Sequence, residues 1–248
     1  MTDLAHVWTD LPWWAWCVVI AAGVVIGFAK TSIGNVSLLA VVAMAQVLPV
    51  RDSTGVVLLL FLVGDLVAIW VYLKNVDWKL IVSLIVPVLV GLGLGSVFLN
   101  FVSDTALKKT IGVIVLVLLV IGFWPDKLGV QRRPVAFGYG AMAGFTTMVA
   151  NAGGPAMSLY LLAAKYDKLS FLGTTAWFFF FVNASKVPIS IGLGIVRVDT
   201  ALFALALAPA VLLGTWLGRI LIKRIEQQTF ERLVTIFVAI AALYLIAV

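Results

Sequence analysis

The stretches GFAKTSIGN (residues 27–35) and GFTTMVANAGGP (residues 144–155) interrupt an otherwise apolar chain with glycine, hydroxyl and amide groups. Both begin with a Gly-Phe pair, at a shift of 117 residues. Further on, at a shift of 122 to 123 residues, Val76, Asp77, Pro87, Gly91 and Gly95 return as Val198, Asp199, Pro209, Gly214 and Gly218. Two related halves with polar breaks at matching places are typical of transporters that bind substrate at those breaks. We therefore predict two membrane repeats, residues 1–124 and 125–248.

The composition requires a bilayer as the solvent. Hydrophobic residues make up 63% of the chain and charged residues 11%, with a mean hydropathy of +1.17. A soluble domain is about 45–50% apolar and about 25% charged. The predicted fold class is therefore an all-α polytopic membrane protein. Because apolar segments consume nearly all of the 248 residues, we expect no receptor domain and no soluble catalytic head.

Each half divides into five apolar segments. Those of the first half are residues 13–29, 36–48, 55–73, 80–101 and 107–124, and those of the second are residues 135–150, 155–165, 170–193, 200–222 and 229–248. Most are long enough to cross about 30 Å of hydrocarbon. The second segment of each half is shorter and follows a polar break. It is either a short tilted span or the returning arm of a re-entrant hairpin.

Loop charges predict that the two repeats are inverted. If all five segments of each half change sides, one side of the membrane carries eleven loop Lys and Arg residues and the other carries four. With four crossings per half the split is eight against six, which is no bias. The excess of positive charge on cytoplasmic loops therefore favours an odd number of crossings per half. With an odd number of crossings per half, the second half enters the membrane from the opposite side, and both termini lie outside.

The repeated glycines and prolines predict helix packing. Small residues spaced four apart let membrane helices approach closely. We therefore expect packing seams at the pairs Gly23/Gly27, Gly91/Gly95, Gly140/Gly144 and Gly214/Gly218. A proline within a helix removes one backbone donor, so kinks are expected at Pro87 and Pro209.

The two polar breaks are candidate anion sites. Lys30, Thr31 and Asn35 lie in the first, and Asn151 precedes the pair Gly153 and Gly154 in the second. A helix that begins inside the membrane directs unpaired N–H groups and a positive dipole end toward its surroundings. Two such starts, brought together by the repeat, would form a pocket for a small anion. The alternative is that both breaks are ordinary interfacial loops.

Lys186 is the most unusual single residue, because it lies deep in an apolar segment, close to Asn183. A charge at the centre of a membrane helix costs roughly 2.5–3.5 kcal/mol, so Lys186 should face the protein interior. Asp65 occupies nearly the corresponding place in the first half. Two interpretations stay open. The two residues form a structural ion pair, or Lys186 binds an anionic substrate while Asp65 carries a proton or acts as a gate.

The sequence contains no pattern for other chemistry. It has one histidine, one cysteine, no metal-ligand spacing, no phosphate-binding loop and no nucleophile elbow. We expect no catalytic residues, no metal and no cofactor. The net charge of +6 comes from Lys and Arg scattered between the apolar segments, which does not favour nucleic-acid binding. The expected partners are a small anion and the lipid bilayer, and pairing of two copies of the chain is left open.

Over essentially its whole length the chain resembles the sulfite exporter TauE/SafE family of membrane permeases, also called the toluene sulfonate uptake family. The resemblance is carried by residues 27–34, 64–65, 144–155, 160–162, 183–188 and 192–194, and by the surroundings of Trp78 and Pro87. The chain has Ala29, Lys30 and Thr31 where many members have consecutive glycines.

The resemblance implies a secondary transporter of the bacterial cytoplasmic membrane for sulfur anions such as sulfite, sulfonates or sulfoacetate. The expected substrate-binding residues are Lys30, Thr31, Asn35, Asn151, Gly153, Gly154, Asn183 and Lys186, with Asp65 as the coupling or gating residue. A passive anion channel is the first alternative, and an integral membrane enzyme or assembly factor is the second.

Overall fold

A computed structural model describes residues 11–98, 113 and 133–247. The described chain is helical, and its order is α1 (Trp13–Thr31), a 3-10 turn (Gly34–Val36), α2 (Ser37–Val47), α3 (Val50–Tyr72), α4 (Trp78–Phe98), α5 (Arg133–Ala150), α6 (Gly154–Ala163), α7 (Lys168–Gly192), α8 (Val198–Arg224) and α9 (Gln227–Ala247). Nine of the ten predicted segments correspond to these helices within a few residues. The tenth, residues 107–124, lies outside the described part.

Four of the described helices are long and apolar enough to cross a membrane, by length and composition. They are α1, α3, α4 and α8. The short helices α2 and α6 have 11 and 10 residues. At about 1.5 Å per residue each is about 15–17 Å long, roughly half of the hydrocarbon thickness. Neither short helix can therefore cross a bilayer by itself.

The helices form two compact units that do not coincide with the two sequence halves. Unit 1 comprises Met1–Leu73 and Phe179–Arg224, so it holds α1 to α3, the second part of α7, and α8. Unit 2 comprises Lys74–Phe178 and Ile225–Val248, so it holds α4, α5, α6, the first part of α7, and α9. Each unit thus combines the first helices of one half with the fourth helix of the other.

A glycine seam joins α1 to α8 in unit 1. A Cβ atom on Gly27 would lie 1.9 Å from the carbonyl oxygen of Val211, and one on Gly214 would lie 2.0 Å from that of Val24. No side chain fits at such distances, so the two backbones are in direct contact. The contacts advance along both helices in the same direction, which makes α1 and α8 parallel.

Unit 2 repeats this seam between α4 and α5. A Cβ atom on Gly144 would lie 2.3 Å from the carbonyl oxygen of Val88, and one on Gly91 would lie 2.0 Å from that of Ala141. These four residues are the repeat counterparts of the four in unit 1. The predicted packing seams are therefore confirmed, and the repeat in the sequence is also a repeat of helix contacts. Pro87 and Pro209 lie within α4 and α8, and the kinks stay a prediction.

Candidate functional site

The first polar break is an ordered turn in unit 1, held by hydrogen bonds to neighbouring helices. Helix α1 ends at Thr31, the backbone turns at Ser32, and α2 begins at Ser37 after the 3-10 turn. The hydroxyl of Thr31 donates to the carbonyl oxygen of Thr215 at 2.9 Å, and the hydroxyl of Tyr72 donates to the carbonyl oxygen of Thr31 at 2.6 Å. These bonds hold the end of α1 to both α8 and α3. The last turn of α1 carries Lys30, so its ammonium is fixed at the break.

Asp65 of α3 is the direct partner of that ammonium. Lys30 Nζ donates to Asp65 Oδ1 at 2.6 Å, and Asn183 Nδ2 of α7 donates to Asp65 Oδ2 at 2.7 Å. The Lys30 and Asp65 side chains are only 10% and 1% exposed. Both carboxylate oxygens are therefore engaged by side-chain donors from two other helices, as a buried charge requires.

Two phenyl rings and a glycine enclose Lys30. Its Nζ atom lies 4.3 Å from the ring centroid of Phe61 and 5.4 Å from that of Phe179, within the range of cation–π attraction. A Cβ atom on Gly64 would lie 2.7 Å from Lys30 Cγ, so the absence of a side chain there makes room for the lysine stem. Lys30 is consequently held by the carboxylate of Asp65, by the two phenyl rings and by the space beside Gly64 that its stem fills.

Lys186 is buried in the same unit. Lys186 is only 4% exposed, and the charges of both Lys30 and Asp65 act on its ammonium group. Along α7, Phe179, Asn183 and Lys186 are spaced four and three residues apart, which places them on one face of the helix. Two ammonium groups and one carboxylate are thus concentrated in the interior of unit 1, with a net charge of +1 when all three are ionised.

The second polar break lies in unit 2 and is also an ordered turn between two helices. Asn151 has a φ of 53°, a left-handed conformation that asparagine tolerates better than most residues. Its N–H donates to the carbonyl oxygen of Thr147 at 3.0 Å, which closes the end of α5. Helix α6 then starts at Gly154 with a proline in its first turn, the position that suits proline. The break is a helix end followed directly by a new helix start.

The structure gathers the predicted site residues in two places. Lys30, Asn183 and Lys186 lie together around Asp65 in unit 1. Thr31 serves the α1–α8 seam, and Asn35 is buried in the 3-10 turn. The remaining three, Asn151, Gly153 and Gly154, belong to unit 2. The expectation that both breaks line one pocket stays a prediction.

Sequence reasoning missed the residues that position Lys30. It assigned Asp65 no partner other than Lys186 and did not consider the rings of Phe61 and Phe179. A signal was present, since Phe61 precedes Asp65 by four residues and Phe179 precedes Asn183 by four. Residues at that spacing share a helix face.

A comparison with protein families matches residues 19–245 to a family described as "Sulfite exporter TauE/SafE". Comparisons with curated proteins and with solved structures find no match.

Proposed function

The chain belongs to the sulfite exporter TauE/SafE family, and on that basis we propose that it is a secondary transporter that moves a small sulfur anion across the membrane. Family membership implies a multi-pass membrane transporter of sulfur anions. The finer proposal is a permease of the bacterial inner membrane with two inverted repeats. It would carry sulfite or an organosulfonate such as sulfoacetate by alternating access, with proton coupling.

The observation that carries the proposal is the buried cluster of Lys30, Lys186 and Asp65. Isolated charges inside a membrane protein are expensive, and they usually mark a substrate or ion pathway. A cluster with one more cation than anion attracts an anion, because the anion completes the neutralisation that Asp65 begins. In a poorly hydrated interior this attraction is stronger than it would be in water.

We assign different roles to the two lysines. Lys30 is fixed by Asp65, Phe61 and Phe179 and serves as the partner that keeps Asp65 in place. Lys186 serves as the cation that meets the substrate, with Asn183 as a neighbouring donor. The arriving anion then competes with Asp65 for the ammonium groups, and this competition links substrate binding to protonation of Asp65.

The second polar break would contribute backbone N–H donors to the anion. Helix α6 begins without a side-chain cap, so its first backbone N–H groups are suited to an anion. That Asn151, Gly153 and Gly154 contact the substrate remains a prediction. Asn151→Ala tests it by flux kinetics, because loss of a substrate contact raises KM.

The decisive experiment measures flux of sulfite, sulfoacetate and simple sulfonates into proteoliposomes, with and without an imposed pH gradient. We expect saturable flux of at least one of these anions, with counterflow exchange that a passive channel would not show. Flux that responds to the pH gradient supports proton coupling. Conduction without counterflow, or no flux of any sulfur anion by well-folded protein, contradicts the proposal.

A further inference from the structure

Arg219 is a charged residue of α8 that the transport proposal does not use. It lies in one of the four helices that can cross a membrane, five residues before the helix ends at Arg224. At about 1.5 Å per residue it sits about 7.5 Å inside the helix end. An arginine at that depth needs an acceptor, and a long side chain can reach the headgroup region to find one.

Within the described part of the chain, Arg219 finds no such acceptor. Its Nε atom is buried without a hydrogen-bond partner, and neither a hydrogen bond nor an ion pair joins its guanidinium to another described residue. The side chain is nevertheless partly exposed. A guanidinium group carries five N–H donors, so those that face outward need an acceptor from outside the described residues.

The surroundings of Arg219 indicate the membrane surface. Its Cζ atom lies 5.6 Å from the ring centroid of Trp70 on α3, and Trp70 is 72% exposed. Exposed tryptophan in a membrane protein belongs to the interface with the lipid headgroups. One turn further along α8, Lys223 is exposed, and its spacing of four residues places it on the same side of the helix as Arg219.

From this arrangement we propose that Arg219, Lys223 and Trp70 form a binding site for the phosphate group of an anionic phospholipid. The guanidinium binds the phosphate oxygens, since its planar donor pair matches an oxyanion. The ammonium of Lys223 adds a second positive charge at the membrane surface. The indole ring of Trp70 lies against the guanidinium and packs against the glycerol and upper acyl chain of the lipid.

The test is native mass spectrometry of the full-length protein, released from detergent and titrated with phosphatidylglycerol, phosphatidylcholine or inorganic phosphate. We expect retention of phosphatidylglycerol over phosphatidylcholine. In Arg219→Gln its apparent affinity should fall about fivefold, the effect of removing one basic residue at a charged membrane surface. Arg219→Lys should recover part of the affinity, and Trp70→Leu should weaken it in a protein with unchanged charge.

Arg224→Gln is the matched control, because it removes the same charge from an exposed position of the same helix. A loss in Arg224→Gln equal to that in Arg219→Gln would reduce the site to general surface charge and overturn the proposal. Displacement of the lipid by equimolar inorganic phosphate would identify a free-anion site instead and would also overturn it. If Arg219→Gln fails to fold, unchanged lipid retention in both Trp70→Leu and Arg219→Lys would contradict the proposal.

Discussion

Lys30 and Asp65 form an ion pair of 2.6 Å between helices α1 and α3, although 35 residues separate them in the chain. Asp65 also accepts from Asn183, so three helices meet at one carboxylate. The pair is almost completely covered, and a second ammonium, that of Lys186, is close enough to feel its field.

Asp65→Asn removes the carboxylate and leaves two buried ammonium groups. Removing one partner of a buried pair destabilises a protein by about 3–5 kcal/mol, so the melting temperature should fall. Added substrate anion should restore more stability to this variant than to the wild type, because it replaces the missing charge. The pH dependence of flux should flatten, and an unchanged pH profile would exclude a coupling role for Asp65. Asp199→Asn, which disturbs a partly exposed pair with Arg197 at 3.3 Å, is the control.

Lys186→Met should raise the KM for the anion while the protein still purifies as a folded species. The expected increase is about 10- to 100-fold, since a hydrogen bond to a charged group contributes about 1.5–3 kcal/mol. Lys186→Arg keeps the charge and should retain a large part of the affinity. Substrate titration by thermal shift together with flux kinetics measures both effects. Lost expression with unchanged KM in the surviving protein would instead assign Lys186 a structural role.

Gly64→Ala should misplace Lys30 without removing any polar group. The new Cβ atom would lie 2.7 Å from Lys30 Cγ, so the lysine stem must shift and its contact with Asp65 must weaken. We expect a stability loss of about 1–3 kcal/mol, as for other overpacked sites, together with reduced flux. Gly138→Ala is the control, since a Cβ atom there would meet nothing within 4 Å. Wild-type flux in Gly64→Ala would show that the position of Lys30 is not critical.

Gly91→Ala and Gly93→Ala test the seam of unit 2 at two positions of one helix. A Cβ atom on Gly91 would lie 2.0 Å from the carbonyl oxygen of Ala141, whereas one on Gly93 would meet nothing within 4 Å. The first variant should lower the melting temperature clearly. The second should leave it unchanged or raise it slightly, because alanine favours helix over glycine by about 1 kcal/mol. Equal effects of both variants would argue against close contact of the helices here.

Tyr166→Phe should reduce stability in a pH-dependent way. Tyr166 lies outside the spans and donates to Asp77 Oδ2 at 2.5 Å, while the carboxylate also caps the start of α4 by accepting from the Leu80 N–H at 3.0 Å. Burial opposes the charged form of Asp77, but these hydrogen bonds, together with the backbone N–H and the charge of Lys79, outweigh burial and lower the pKa of Asp77.

Because the pKa of Asp77 is lower in the folded state, its carboxylate stabilises the folded protein at pH values above the pKa of aspartate in the unfolded chain, which is about 3.9. The loss of stability in Tyr166→Phe, about 1 kcal/mol at neutral pH, should therefore shrink as the pH falls through the folded pKa of Asp77. Thermal melts between neutral pH and pH 3 measure this dependence. A constant difference across that range would show that the bond to the charged carboxylate is not its source.

Much of the helical architecture was predictable, because apolar length and polar breaks are local properties of the chain. The segment limits agree with the helices within a few residues, and the repeated glycines lie where helices touch. The partner of Asp65 was not predictable, since an ion pair between separate helices depends on which of them pack together. Lys186 was the predicted partner of Asp65 in one interpretation, whereas the structure pairs Asp65 with Lys30. Arg219 was overlooked because it lies near the end of a span, where a basic residue resembles an ordinary loop charge.

The exchange of helices between the sequence halves has a consequence for biosynthesis. The glycine groove of α1 is filled by α8, and Asp65 obtains its amide donor only from Asn183 of α7. When the ribosome has completed the first half, unit 1 still lacks both. The early helices therefore remain in the bilayer with an incomplete polar cluster until α7 (Lys168–Gly192) has been made, and without their glycine contacts until α8 (Val198–Arg224) follows. A truncated first half expressed alone would stay in that unfinished state, and co-expression of the missing half would be needed to rescue it.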